Sequence, residues 1–332
     1  MKILGIDTSC DETSVAVVER GRILASLVFG QHGLHRPYGG VVPEIASRAH
    51  VERLLPSLKD ALETAGGADA IAVTTRPGLI GPLLVGVSAA KAFAMVRGLP
   101  LVGVHHLEAH VAAAYLLDPP PSPPFVALIA SGGHTILYLV PERGRYERLG
   151  QTQDDAAGEC FDKVAAILGL PYPGGPSIEA EGRRGNPRAH AFPRPLRDES
   201  GDDFSFSGIK TAVLYLVKGQ DGRRRDPDAR AFSLPDVAAS AQEAIAGVLS
   251  AKAVRAAARV GSRRLVLGGG VAANTRLREL VAERAAAAGV EAFVPPKPLC
   301  TDNAAMVAVR GGELLDAGVR DGFELDADPY AE

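Results

Sequence analysis

Two histidines, His106 and His110, stand four residues apart in a stretch that reads as a helix from about His106 to Leu117. At 3.6 residues per turn, that spacing brings both rings to one face, where two imidazoles can bind one divalent metal ion. The other reading is a pair of partly buried histidines satisfied by hydrogen bonds. Asp302 lies in Cys300-Thr301-Asp302-Asn303, just before a small apolar run over 304–309. It is expected at a helix start, either as a plain N-cap or as a third ligand. Two histidines and a carboxylate would leave coordination positions open for a substrate.

The histidine spacing is that of the HExxH pattern of zinc peptidases, but the general base is missing. Leu107 occupies the glutamate position, and Glu108 lies roughly 200° around the helix from His106. Other segments offer backbone rather than side chains. Gly268-Gly269-Gly270, between a strand and a helix, permits close approach to a nucleotide and serves equally as a plain turn. Pro173-Gly174-Gly175-Pro176 is a rigid turn. Ser9 and Glu12 either orient substrate or cap their own loop.

The elements that must position these residues occur twice. Ile3 to Ile6 is apolar, followed by Asp7-Thr8-Ser9, then Val15 to Val18 and the turn Arg20-Gly21. Phe125 to Ala130 is apolar, followed by Ser131-Gly132-Gly133-His134-Thr135, then Ile136 to Val140 and the turn Arg143-Gly144. Each block reads as strand, tight turn, strand, turn, strand, and the repetition predicts a duplicated α/β fold. Turns built of small residues leave N–H groups free for phosphates. The proline run at 118–124 marks the boundary between an N-terminal lobe, 1–118, and a C-terminal lobe, 119–332. Helices are expected at 82–97, 209–218 and 236–260, with a strand at 265–267 running into the glycines and a helix beginning near Asn274.

Bulk composition narrows the function classes. Net charge is −3 and only 5% of residues are aromatic, without tryptophan, so neither a basic nucleic-acid magnet nor a stacking platform is expected. An Arg-rich insert around 181–230 carries eleven Lys or Arg against eight Asp or Glu. It reads either as a solvated loop or as a phosphate-binding surface through Arg183, Arg184, Arg188 and Arg223 to Arg225. Three widely spaced cysteines, Cys10, Cys160 and Cys300, form no disulfide framework and point to a reducing, cytoplasmic compartment. The apolar run Leu79 to Val96 is expected as a buried helix rather than a membrane span, and Asp7 comes too early for a signal peptide.

In order along the chain, GIDTSCDETSVAVV (Gly5 to Val18), LLVGVSAAKAFA (Leu83 to Ala94), HHLEAH (His105 to His110) and SGGHT (Ser131 to Thr135) are followed by four further blocks. These are GECFDKVAAILGLPYPGGP (Gly158 to Pro176), FSFSGIKTAV (Phe204 to Val213), GGGVAANTRLR (Gly268 to Arg278) and CTDNAAM (Cys300 to Met306). Together they resemble the tRNA N6-adenosine threonylcarbamoyltransferases, the bacterial TsaD family, once called O-sialoglycoprotein endopeptidases. The resemblance implies a duplicated actin-like, sugar-kinase-like (ribonuclease H-like) ATPase fold, with two lobes around a nucleotide cleft. It implies an Fe2+ or Zn2+ ion on His106, His110 and Asp302. It also implies contacts from Ile129, Ala130, Ser131, Gly132, Gly133, Asp162, Gly175 and Asn274 to threonylcarbamoyl-adenylate or an ATP-like nucleotide. Glu179 joins that set although many relatives carry aspartate there.

The activity implied is transfer of a threonylcarbamoyl group to N6 of adenosine 37 in tRNAs reading codons that begin with A. Glu12 and His134 are the candidates for the proton acceptor. The implied partners are the tRNA anticodon loop, a TsaC-like synthase making the adenylate, a TsaB-like pseudoenzyme homologue and a TsaE-like small ATPase, with no membrane. One departure stands out: the family reads Gly-Pro-Gly-Leu where this chain has Arg76-Pro77-Gly78-Leu79, which predicts either a reshaped loop or a charge for phosphate. A small-molecule kinase would share the fold but leaves the two histidines and Asp302 unexplained. A noncatalytic scaffold would be expected to have lost them.

Overall fold

β-branched residues and a two-residue turn shape the start of the chain. β1 (Lys2–Asp7), β2 (Glu12–Glu19) and β3 (Arg22–Gly30) form an antiparallel meander, with Lys2 opposite Glu19 and Asp7 opposite Ser14. Its Arg20-Gly21 turn has φ of 49° and 77°, the positive values whose twist suits a two-residue hairpin. The computed structural model describes residues 1–198, 200–219 and 232–330. After α1 (His32–His35) and α2 (Pro43–Ala65), the chain adds β4 (Ala70–Arg76), α3 (Ile80–Arg97) and β5 (Leu101–His105), and α4 (His106–Ala112) follows directly. β4 and β5 run parallel to β1, giving the order β3-β2-β1-β4-β5.

The core of this unit joins Leu4, Ile6, Val15, Val17, Ile71 and Val73 of the sheet to Leu54 and Leu58 of α2 and Val87 and Ala90 of α3. Each large aliphatic so buried contributes about 1.5–3 kcal/mol. α3 is only half in the core. Leu83, Val87, Ala90 and Ala94 are buried, while Ile80, Leu84, Met95 and Val96 are exposed. The expected helix is there, but it is buried on one face alone, because an apolar sequence does not limit burial to the side that meets the sheet.

The second unit repeats the plan. β6 (Phe125–Ala130), β7 (Thr135–Val140) and β8 (Glu147–Gln151) form a meander, with Ala130 opposite Thr135. Then come α5 (Ala157–Ile167), α6 (Gly174–Gly182), α7 (Ser207–Lys218) and α8 (Leu234–Arg259). β9 (Arg264–Gly268), α9 (Thr275–Ala287) and β10 (Glu291–Phe293) complete it, with β9 and β10 parallel to β6. The order β10-β9-β6-β7-β8 is that of the first sheet, strand for strand, so the duplication read from the sequence is present in the topology.

α7 shows how the sequence sets one of these helices. Phe204 and Phe206 are buried, which turns Ser205 and Ser207 outward. Both hydroxyls donate to Asp154 Oδ2 at 2.6 Å, and the Phe206 and Ser207 N–H groups donate to Asp154 Oδ1. A carboxylate from a distant loop thus satisfies N–H groups that a helix start leaves open.

The domain expectation needs one correction. The chain leaves the first unit after Pro121, close to the expected boundary, but it returns to that unit briefly at Glu142–Arg145 and again from Pro298 onward. α10 (Lys297–Cys300) makes the passage, and α11 (Ala304–Asp316) buries Ala304, Met306, Val307 and Ala308. The Ala304 N–H donates to Ser14 Oγ of β2 at 2.7 Å. The second lobe therefore does not extend to 332, because α11 buries its apolar face in the first unit rather than against the strands that precede it in sequence.

Candidate active site

β5 delivers the chain straight into α4, and the helix places His106 and His110 on one face with ring centroids 4.6 Å apart. Both are buried. Asp302 reaches them from the connection between α10 and α11. His110 Nε2 lies 3.1 Å, and His106 Nε2 3.6 Å, from Asp302 Oδ1. The expected helix start is displaced by one residue: Asn303, not Asp302, is the N-cap of α11, accepting from the Met306 N–H at 3.1 Å. That division of labour keeps the Asp302 carboxylate turned to the histidines.

The donor set fits a divalent ion. One atom from each residue lies within 4.8 Å of the other two. Two imidazole nitrogens and one carboxylate oxygen suit zinc or iron and leave positions open. His110 Nδ1 is buried without a hydrogen-bond partner, so the polar outlet of this ring is Nε2. His106 is fixed from behind: its Nδ1 lies 3.3 Å from Ser9 Oγ and 3.3 Å from Asp7 Oδ2. The Ser9 N–H in turn donates to Asp7 Oδ1 at 3.1 Å. Such a contact orients the ring and sets which nitrogen faces forward. Burial disfavours a charged His106, but the carboxylates of Asp302 and Asp7 outweigh it and hold its pKa well above the usual histidine value. Burial likewise works against an ionised Asp302, and the two histidines reverse that and hold its carboxyl far below the usual range.

Asp7 is the residue that reasoning from spacing missed. Its signal was an acid ending an otherwise buried apolar strand. Glu12 begins β2, and burial, followed by the nearby carboxylates of Asp302, Asp11 and Asp7, pushes its pKa well up. Glu108 faces away, as the helix period predicts, and is held by Arg310 of α11 at 2.9 and 2.8 Å. Leu107 is buried. Neither residue supplies the base of a peptidase.

Arg76 closes β4 opposite His105 with its side chain exposed, and its φ is not positive. A glycine is therefore not required at 76. The tight position is Gly78, where a Cβ would stand 2.6 Å from the Ser9 carbonyl oxygen.

The second unit holds the remaining expected residues. Ile129 and Ala130 end β6 with buried side chains, so only their backbone can meet a ligand. Ser131 Oγ accepts from the His134 N–H at 3.2 Å, closing the turn, while a Cβ added at Gly132 or Gly133 would meet nothing within 4 Å. Gly269 lies close to the Ala130 carbonyl at φ 82°, a conformation and a clearance that a side chain would not allow. Asp162 Oδ1 accepts from the Gly174 N–H at 2.6 Å, tying α5 to the start of α6, and Gly175 faces open space. Glu179 takes the Thr275 hydroxyl at 2.7 Å and the Thr275 N–H at 3.3 Å. Asn274 caps α9 through Leu277 and donates to Gln242 at 2.8 Å. Arg183 and Arg184 pair with Glu179 and Glu181, and Arg188 is exposed. Arg223 to Arg225 lie outside the described residues.

Comparisons with known proteins identify the family and the fold. The family model "tRNA N6-adenosine threonylcarbamoyltransferase" (TsaD) matches residues 22–309. A protein of that name from Anaeromyxobacter dehalogenans is 53% identical, over 99% of this chain and 98% of its own. Its namesake from Thermotoga neapolitana is 48% identical over 99% of each. Two solved structures share the fold at low identity. Full-length HypF aligns with a TM-score of 0.63 and 14% identity over 95% of this chain and 56% of its own. Component A of the Acidaminococcus fermentans (R)-2-hydroxyglutaryl-CoA dehydratase aligns with 0.54 and 16% over 94% and 99%. With the repeated five-stranded sheets, they make this a duplicated actin-like α/β fold. With a family model matched over most of its length and relatives about half identical from end to end, this chain belongs to the TsaD family of tRNA N6-adenosine threonylcarbamoyltransferases.

Proposed function

We propose that this protein transfers the threonylcarbamoyl group of threonylcarbamoyl-adenylate to N6 of adenosine 37 in tRNAs reading codons that begin with A. The convergence of His106, His110 and Asp302 in a chain of this family is the observation that carries the reading. A bond forms between N6 and the carbamoyl carbon, the mixed-anhydride bond to phosphate breaks, AMP leaves, and the N6 proton passes to a base.

The N6 lone pair is delocalised into the purine ring, so positioning carries much of the catalytic burden, on the order of 7–11 kcal/mol. Fe2+ or Zn2+ held by His106, His110 and Asp302 supplies Lewis-acid polarisation when bound. Asp7 and Ser9 hold the His106 ring so that Nε2 faces Asp302. The open turn at Ser131 to Gly133, Gly175 and the backbone at Ile129 and Ala130 receive the adenylate. Asp162, Glu179 and Asn274 serve it by fixing the starts of α6 and α9. Glu12 and His134 are the candidates to take the N6 proton. Adenosine 37 must be splayed from the anticodon loop to reach the site. A TsaC-like synthase, a TsaB-like homologue and a TsaE-like ATPase complete the system in the cytoplasm, a location that three cysteines outside any disulfide fit.

The test is a transfer assay with the purified protein, those helpers, threonylcarbamoyl-adenylate and unmodified tRNA, read by nucleoside mass spectrometry. Modified adenosine from wild type and none from His110→Ala is the expected result. Product from both would remove the histidines from the mechanism. Product from neither, with the helpers shown to bind, would overturn the reading.

A further inference from the structure

α4, the helix that presents His106 and His110, is only seven residues long and starts without a side-chain cap. Two turns of helix are marginal on their own, so contacts from outside must set its rotation. On the histidine face those contacts run to Asp7, Ser9 and Asp302. On the opposite face the grip is ionic. Arg310 of α11 donates to Glu108 Oε2 from Nε at 2.9 Å, and its Nη2 lies 2.8 Å from the same oxygen. Arg310 Nη1 donates to Glu313 Oε2 at 3.2 Å, and Glu313 Oε1 accepts from Arg143 at 3.0 Å. The Arg310 and Glu313 side chains are 8% and 5% exposed, so the bridge is buried.

We propose that Arg310 is a positioning residue of the metal centre: through Glu108 it fixes how α4 is turned, and so how His106 and His110 face Asp302. The inference rests on the reading of that trio as the metal site. α11 serves both sides of the arrangement. The connection leading into it carries Asp302, and Arg310 follows about 9 Å along the helix from Ala304. The helix lies directly on the sheet: a methyl group at Gly5 of β1 would strike the Ala304 carbonyl, and one at Gly311 the Ala72 side chain. A helix so seated is a fixed reference from which one side chain can orient a short neighbour.

Stability is a poor reason for such a bridge. Burying a guanidinium and a carboxylate costs much of what their attraction returns, and apolar residues of similar volume often serve as well. Apolar contact is non-directional and leaves a short helix free to turn. Two nitrogens converging on one carboxylate oxygen do not, because a hydrogen bond weakens steeply once its angle is lost.

The test reads metal affinity rather than turnover. The full-length protein is stripped with chelator, and Zn2+ is titrated in competition with a chelating dye, with thermal melting recorded for each variant. The double variant Glu108→Leu with Arg310→Met removes the bridge and leaves Glu313 paired with Arg143. It should melt close to wild type and bind Zn2+ about tenfold more weakly. Glu108→Gln keeps an oxygen for Arg310 and should bind Zn2+ like wild type. Equal loss in Glu108→Gln and in the double variant would show that charge acts rather than position, and would overturn the proposal. Wild-type affinity in the double variant would overturn it as well. If the double variant melts early, Arg310→Lys decides, since an ammonium keeps the charge without the fork. Weaker Zn2+ binding at an unchanged melting temperature is then expected, and unchanged binding sinks the role. His110→Ala should abolish tight binding in the same assay; affinity that survives it would overturn the metal trio itself and this inference with it.

Discussion

His106 is gripped from behind by Asp7, whose Oδ2 lies 3.3 Å from the ring Nδ1 at a position with 1% of its side chain exposed. The two residues are 99 positions apart in the chain, and they meet because β1 and β5, both parallel to β4, finish at the same end of one sheet. A buried carboxylate behind a metal-ligating histidine typically raises metal affinity by 10–100-fold. Asp7→Asn should therefore weaken binding at the trio by that factor, measured by competition with a chelating dye. Its thermal unfolding should stay close to wild type, since the amide keeps the shape of the carboxylate. Unchanged affinity would reduce Asp7 to a structural role.

Two glycines near the SGGHT turn should respond differently to alanine. At Gly269 the positive φ and the adjacent Ala130 carbonyl oppose a methyl group, so Gly269→Ala should cost at least about 1 kcal/mol and lower the melting temperature by several degrees. At Gly132 the space is open and φ is ordinary, so Gly132→Ala should melt like wild type. If the turn receives the adenylate, Gly132→Ala should raise its KM. Equal melting temperatures for the two variants would contradict the geometry.

Asp154 should make part of the stability acid-sensitive. Its slight burial works against ionisation, but hydrogen bonds from Ser205, Ser207 and the N–H groups of Phe206 and Ser207 hold its carboxyl below the usual value. A depressed folded-state pKa stabilises the fold above the unfolded pKa of about 3.9 and loses that contribution as pH falls through the folded one. Asp154→Ala should cost about 1 kcal/mol at pH 7, allowing for solvent screening, and progressively less below about pH 4. Urea titrations of both proteins at pH 7 and pH 3 would reveal a gap that fails to narrow.

Cys160 should resist alkylation in the folded protein. Burial, aided by the charge of Asp155, pushes its thiol up to about 12. Little thiolate is then present at pH 8, so iodoacetamide should label Cys160 only after denaturation. The raised value also means that its contribution is complete below the unfolded pKa of about 8.5 and is lost as pH rises toward 12. Rapid labelling of the native chain at pH 8, located by peptide mapping, would refute the burial.

What was legible in advance is what depends on short-range geometry. The four-residue spacing put His106 and His110 on one helix face, because 3.6 residues per turn holds wherever a helix forms. The paired strand-turn-strand blocks disclosed the duplication, since alternating apolar runs and glycine turns are local signals. The outward direction of Glu108 followed from the same period. Family resemblance, spread over eight blocks, supplied the activity.

Tertiary structure decided what depends on distant partners. Asp302 is 192 positions from His110, and no local pattern could tell whether it would cap α11 or face the histidines; Asn303 took the cap and left Asp302 to them. Asp7 behind His106 became visible only when strand ends met. The return of α11 to the first unit was likewise hidden, because an apolar helix face specifies burial but not the sheet that buries it. For the same reason Asp162, Glu179 and Asn274, expected at the substrate, have polar atoms holding the starts of α6 and α9. The role of a carboxylate or amide is set by the donors and acceptors that folding brings within about 3 Å, and those are absent from the order of residues alone.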